Sequence, residues 1–63
     1  PIYSVVAIDG QNHDQIFTVS CEVVDFSVIE QGQGKSKKAA EQMAAQKLFQ
    51  TIQSIKEKGP KND

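Results

Sequence analysis

The 63-residue chain has no tryptophan, one cysteine, one histidine and two prolines. A lone cysteine, Cys21, excludes an internal disulfide and fits a reducing compartment. One cysteine and one histidine fall short of the four ligands of a structural zinc site. No apolar run approaches the roughly 20 residues of a membrane-spanning helix. The opening PIYSVV has neither the basic segment nor the cleavage site of a signal peptide. An excess of one charge is also missing: seven basic residues face eight acids, for a net charge of −1. Bulk charge therefore points to no polyanionic partner. There is no internal repeat and no low-complexity tract. A start at Pro1 without methionine reads as a piece of a longer protein.

What is present suits one small domain. Hydrophobic content of 38% with 24% charged residues is that of a globular chain. At this length a domain buries only about 60% of its unfolded surface and is marginally stable.

The pattern predicts strands first and a helix last. Residues 2–8, IYSVVAI, are β-branched and aromatic and read as a strand. Asp9-Gly10 opens a polar turn through Asp14. Residues 16–23 alternate: Phe17, Val19, Cys21 and Val23 share one face, and Thr18, Ser20 and Glu22 the other. That is a half-buried strand of an antiparallel sheet. Residues 24–27 give a weak turn signal, with Phe26 exposed, and Val28–Glu30 end a third strand. Gly32 and Gly34 then break the strand pattern. Ser36 is the N-cap of a helix over 36–56, and residues 57–63 form a polar tail. On a helical wheel Ala40, Ala44, Ala45, Leu48, Phe49, Ile52 and Ile55 make one apolar arc, facing the sheet. Small residues come first along it, so the helix can approach the sheet closely at its start. Tyr3, Phe17 and Phe49 are assigned to the core. Cys21 is a small strand hydrophobe.

One feature conflicts with helix electrostatics. A helix N-terminus carries roughly +0.5 charge, and each cation there costs some tenths of a kcal/mol. Yet Lys37 and Lys38 fall in the first turn, with Lys35 just ahead and no acid among residues 35–38. The five acids before residue 32 all lie upstream in loops and strands. Cations at that place make sense if a polyanion sits there: dipole, free N–H groups and ammonium groups then favour the same phosphates. The spacing G-x-G-x-S-K-K fits neither nucleotide-binding glycine motif, G-x-x-x-x-G-K-[ST] or G-x-G-x-x-G.

The landmarks resemble, in order, those of a double-stranded RNA-binding domain. Pro1 and Tyr3 match the start of that family's first strand, and Gly10 with His13 its G-x-x-H loop. Phe17-Thr18-Val19 with Cys21 and Val23 match its second strand. Gly32, Gly34, Ser36, Lys37, Lys38, Ala40, Glu41, Ala44 and Ala45 match G-x-G-x-S-K-K-x-A-E-x-x-A-A. The resemblance covers residues 1 to about 52. Glu41, where many stand-alone members carry another lysine, makes it most similar to the C-terminal domain of bacterial ribonuclease III, and also removes one phosphate contact.

The resemblance implies an α+β fold: a three-stranded antiparallel sheet in the order 1-2-3 with the C-terminal helix on one face. It also implies a domain over 1–56 whose first helix lies outside these residues. It implies RNA contacts from Lys35, Lys37 and Lys38 to phosphates, with Ser36 beside them, and from Gly10, Gln11, Asn12 and His13 to a minor groove. The family often has proline where Gln11 stands. No catalytic or metal-binding residue is expected here. The resemblance further implies a cytoplasmic, homodimeric parent with Mg²⁺ expected in its nuclease domain. A helix packs roughly 10 Å wide, too narrow to cover three strands. The Phe17–Val19–Cys21 face and the helix flank near Leu48 and Phe49 are therefore expected to be partly bare, awaiting a preceding helix or a second chain. The alternative is a protein-interaction module of the same architecture that binds RNA weakly.

Overall fold

A computed structural model describes residues 1–58. Three strands, β1 (Ile2–Asp9), β2 (Ile16–Val23) and β3 (Val28–Gly34), form an antiparallel sheet in the order β1-β2-β3. One helix, α1 (Lys37–Lys58), follows and packs on β3 and β2, with only slight contact to β1. Short connections make sequential strands neighbours. A tight turn at Val24–Phe26 links β2 to β3, with Ser27 in the left-handed region at φ 54°. A bulge near Val6 interrupts the β1–β2 ladder, and neither it nor the Ser27 conformation is evident from the residue pattern.

The alternation of β2 is realised: Val19 and Cys21 are fully buried under α1. The opposite face is less open than a half-buried strand implies. Thr18 and Ser20 are also buried, because β2 is central and its small side chains are overhung by neighbours. Gln33 on β3 donates its Nε2 hydrogen to Thr18 Oγ1 at 3.2 Å.

Gly32 and Gly34 do not break β3; they complete it, pairing with Val19 and Phe17. Glycine is placed there because α1 lies directly on that strand. A Cβ on Gly32 would collide with the Ala44 backbone nitrogen and sit 2.7 Å from the Ala40 carbonyl oxygen. Helix and strand backbones therefore touch, and Ala40, Ala44 and Leu48 are buried between them. Farther along, Thr51 donates its hydroxyl hydrogen to Glu30 Oε2 at 2.8 Å.

Two expectations about the helix are corrected. It runs two residues past 56, to Lys58, since no breaker precedes Gly59 and the last turn carries Lys56 and Lys58, which suit the negative end of the dipole. The remainder of the expected 57–63 tail lies outside the described residues. Second, Phe49 is 66% exposed and Tyr3 42%, so neither is core, while Phe17 is half-buried. The bare strip expected over Val19 and Cys21 lies one strand away. It consists of Tyr3, Val5 and Ile8 on β1, bordered by Phe17; on the helix Phe49 is exposed and Leu48 is covered. Glycine contact draws the helix toward β3, and β1 is left uncovered.

Candidate nucleic-acid interface

The register brings two predicted segments to one end of the sheet. Asp9 pairs with Ile16, Ile8 with Phe17, and Phe17 with Gly34. The loop leaving β1 and the turn leaving β3 thus emerge side by side, on either side of β2. Their strands lie two spacings, about 10 Å, apart.

On the β3 side, the chain passes Lys35 and enters α1 at Lys37. Ser36 is the N-cap: its Oγ accepts the Ala39 N–H at 3.0 Å, and its carbonyl accepts the Ala40 N–H at 3.0 Å. The Ser36 hydroxyl hydrogen is left to donate elsewhere. Lys37 and Lys38 are the first two helical residues, whose N–H groups have no acceptor within the helix. All three lysines and Ser36 are exposed, and no acid lies in the first turn. The misplaced charge read from the sequence is thus present: three flexible ammonium groups surround the positive end of a 22-residue helix.

On the β1 side, Gly10 has φ +99°, and a Cβ there would strike the Asp14 carbonyl. Gln11 is extended, and Asn12–Asp14 make one 3₁₀ turn closed by the Asp14 N–H on the Gln11 carbonyl at 2.7 Å. Only glycine accepts this backbone cheaply. The result is a compact, exposed projection that presents Gln11, Asn12 and His13 to solvent. Asp9 and Asp14 flank it, so the two halves of this end differ in sign of charge.

Two more charged side chains lie along α1, Glu41, which the motif comparison picked out, and Lys47, which it did not. Glu41 is half-buried near Tyr3 of β1, one turn after Lys37 and Lys38. The Tyr3 phenol beside it is held above the usual tyrosine value, by desolvation first, then by hydrogen bonding to Cys21, with repulsion from Glu41 adding to both. Lys47 lines a polar groove with Thr18, Gln31, Gln33 and Met43. It lies ten residues beyond Lys37, about 15 Å along the helix, and does not join the cluster at the helix start. Among the described residues no group of three or more His, Cys, Asp or Glu could hold a metal ion, and no helix is long and apolar enough to cross a membrane.

The arrangement is suited to a ligand with phosphates at the helix start and hydrogen-bonding groups at the loop on the other side of β2. Comparison with known proteins agrees in kind. Residues 1–52 match the double-stranded RNA binding motif family. Among curated proteins, the chain is 44% identical over 52 residues to "Ribonuclease 3" of Shewanella denitrificans, covering 82% of this chain and 23% of that protein. It is 44% identical over 54 residues to "Ribonuclease 3" of Albidiferax ferrireducens, covering 86% and 24%. For "Ribonuclease 3" of Psychromonas ingrahamii the figures are 43% over 56 residues, 89% and 24%. The chain thus spans about a quarter of the length of these relatives. No solved structure matches it.

Proposed function

The chain belongs to the double-stranded RNA binding motif family, and from that premise we propose that it holds duplex RNA for the endonuclease domain of a bacterial ribonuclease III. A-form RNA hides its base edges in a deep, narrow major groove and shows 2′-hydroxyls in a wide minor groove. Binding then rests on shape, phosphates and 2′-hydroxyls. Lys35, Lys37 and Lys38 meet phosphates across the major groove, with Ser36 beside them. Gly10, Gln11, Asn12 and His13 enter the neighbouring minor groove, where amide and imidazole groups meet 2′-hydroxyls. The observation that carries this reading is the shared register end: the Gly10–Asp14 projection and the lysine-bearing helix start flank β2 at the same end of the sheet.

Cleavage is assigned to the parent. Metal-assisted phosphodiester hydrolysis needs a carboxylate cluster around Mg²⁺, and the described residues offer no such donor set. On this reading Mg²⁺ belongs to a nuclease domain elsewhere in the parent, which is read as homodimeric and cytoplasmic. This chain's residues bind and orient the substrate.

A second reading is favoured by one observation, the exposed apolar residues Tyr3, Val5 and Ile8 on β1 and Phe49 on α1. Exposed apolar surface of this kind marks a contact with another segment or chain. On the RNA reading its cover is a helix preceding Pro1 in the parent, or a second chain. On the alternative reading it is the working surface, and RNA binding is weak.

A salt titration separates the two. Duplex RNA binding through phosphates must weaken linearly on a logarithmic plot as salt rises. In competition, duplex RNA must win over duplex DNA of equal length. Equal affinity for both duplexes, or binding insensitive to salt, contradicts the RNA reading.

A further inference from the structure

The lysines are useful only if the helix start is held at a fixed height above the sheet end. Their side chains are flexible, so the backbone of the first turn sets where the ammonium groups centre. That backbone rests on Gly34. A Cβ built on Gly34 lies 2.7 Å from the Ala39 Cβ, 2.8 Å from the Ala40 nitrogen and 2.9 Å from the Ala39 carbonyl carbon. All three atoms belong to the first turn of α1.

Gly34 differs from Gly32 in what it supports. Around Gly32 the nearest three atoms are all backbone, running from Ala40, which closes the first turn, to Met43 and Ala44 in the second. That contact seats the body of the helix. Gly34 ends β3, is half-buried, and lies two residues before the Ser36 cap. Its φ is not in the left-handed region, so backbone conformation does not require glycine there. What requires it is the nearness of the turn that bears Lys37 and Lys38. Across the sheet Gly34 pairs with Phe17, which pairs with Ile8, two residues before Gly10.

We propose that Gly34 is a positioning residue for RNA binding. By lacking a side chain it lets the first turn of α1 settle onto the end of β3, which fixes Lys37 and Lys38 in register with the Gly10–Asp14 loop. A methyl group at position 34 lifts that turn by a few tenths of an ångström or more, while Gly32 still holds the helix body. The lysines then miss the phosphates that the loop's groove contact selects. This rests on the RNA reading above.

The test is Gly34→Ala in the intact protein, with duplex RNA binding measured across a salt series without divalent cation. Circular dichroism and thermal melting are followed alongside. The helix signal is expected to persist. Affinity should fall at least tenfold, and the slope of log K against log salt should flatten by about two, one per displaced lysine. A smaller folded fraction gives a different result, lower apparent affinity at unchanged slope, and that result overturns the proposal. So does wild-type affinity in the folded variant. If Gly34→Ala loses the fold, Gly34→Ala with Ala39→Gly decides, since the second change removes the side-chain part of the collision. Recovery of fold and slope together supports positioning, and an unfolded double variant leaves a purely structural role. Failure of the RNA reading itself appears in the wild type, as duplex binding without a salt slope.

Discussion

The two flanks of α1 are both lined by apolar residues, yet one is closed and the other open. On the β3 side, Gly32 meets the Ala40–Ala44 backbone and Thr51 bonds Glu30. On the β1 side, Tyr3, Val5 and Ile8 remain 40% or more exposed, and Phe49 on the helix is exposed as well. Larger side chains did not make the tighter contact. Close approach came from glycine and alanine, where backbones meet and many weak dispersion contacts form at once. The open flank has more apolar surface and less structure, because a single helix is one strand too narrow for this sheet. Closure also sits beside the lysines. The flank that is rigidly packed holds the charges in place, and the open flank awaits a cover.

This contrast can be broken first at its tightest point. Gly32→Val should destabilise the domain by about 3 kcal/mol, since β-branched bulk is forced against helix backbone. Against the marginal stability of a small domain, urea denaturation should show a population largely unfolded in water. A midpoint near that of the wild type would mean the helix is not seated by this contact. Thr51→Val should cost about 1 kcal/mol, as the Glu30 carboxylate loses its hydroxyl donor. A double-mutant cycle with Glu30→Gln measures whether the two residues are coupled, and additive effects would count against it.

The open flank should respond weakly. Phe49→Ser should shift stability by less than about 0.5 kcal/mol, because an exposed side chain has little burial to lose. The same substitution made where the strip is covered should cost more. A large loss with the strip uncovered would show that Phe49 packs more closely than its exposure indicates. The smallest effect is spectroscopic. Tyr3 is the one tyrosine, so ultraviolet absorbance reports it alone, and its midpoint should lie above 10.0 in the folded protein and return there in urea. Folding favours the neutral phenol. Its contribution to stability is therefore present below the unfolded value and is lost as pH rises through the folded one. A cover over the strip should raise the folded midpoint further by desolvation.

Much of the frame was legible in residue order. Alternation at Phe17 to Val23 identified the central strand, and short connections gave the strand order. Ser36 was readable as the cap because a hydroxyl residue preceded the first apolar helical positions. The lysines were readable because their charge opposes the dipole. What was not legible depended on contacts between elements. Gly32 and Gly34 look like strand breakers, since intrinsic propensity disfavours glycine in strands. Only the helix lying against them shows why glycine is required. The helical wheel showed that Phe49 belongs to an apolar arc. It could not show that the arc's centre would settle over β3 and leave Phe49 beyond the sheet's cover. Lys35 to Lys38 and Gly10 to His13 were picked out separately, and their shared end of the sheet follows from the strand register.

The central claim is that the lysines at the helix start act on a bound phosphate backbone and not on the fold. The most direct measurement is Lys37→Glu with Lys38→Glu, compared with wild type for duplex RNA affinity and for thermal stability in the same buffer. Acids in the first turn suit the dipole, so the account predicts that duplex binding disappears while stability is unchanged or rises by about 0.5 kcal/mol. RNA affinity equal to that of the wild type, in a variant that remains folded, would contradict it.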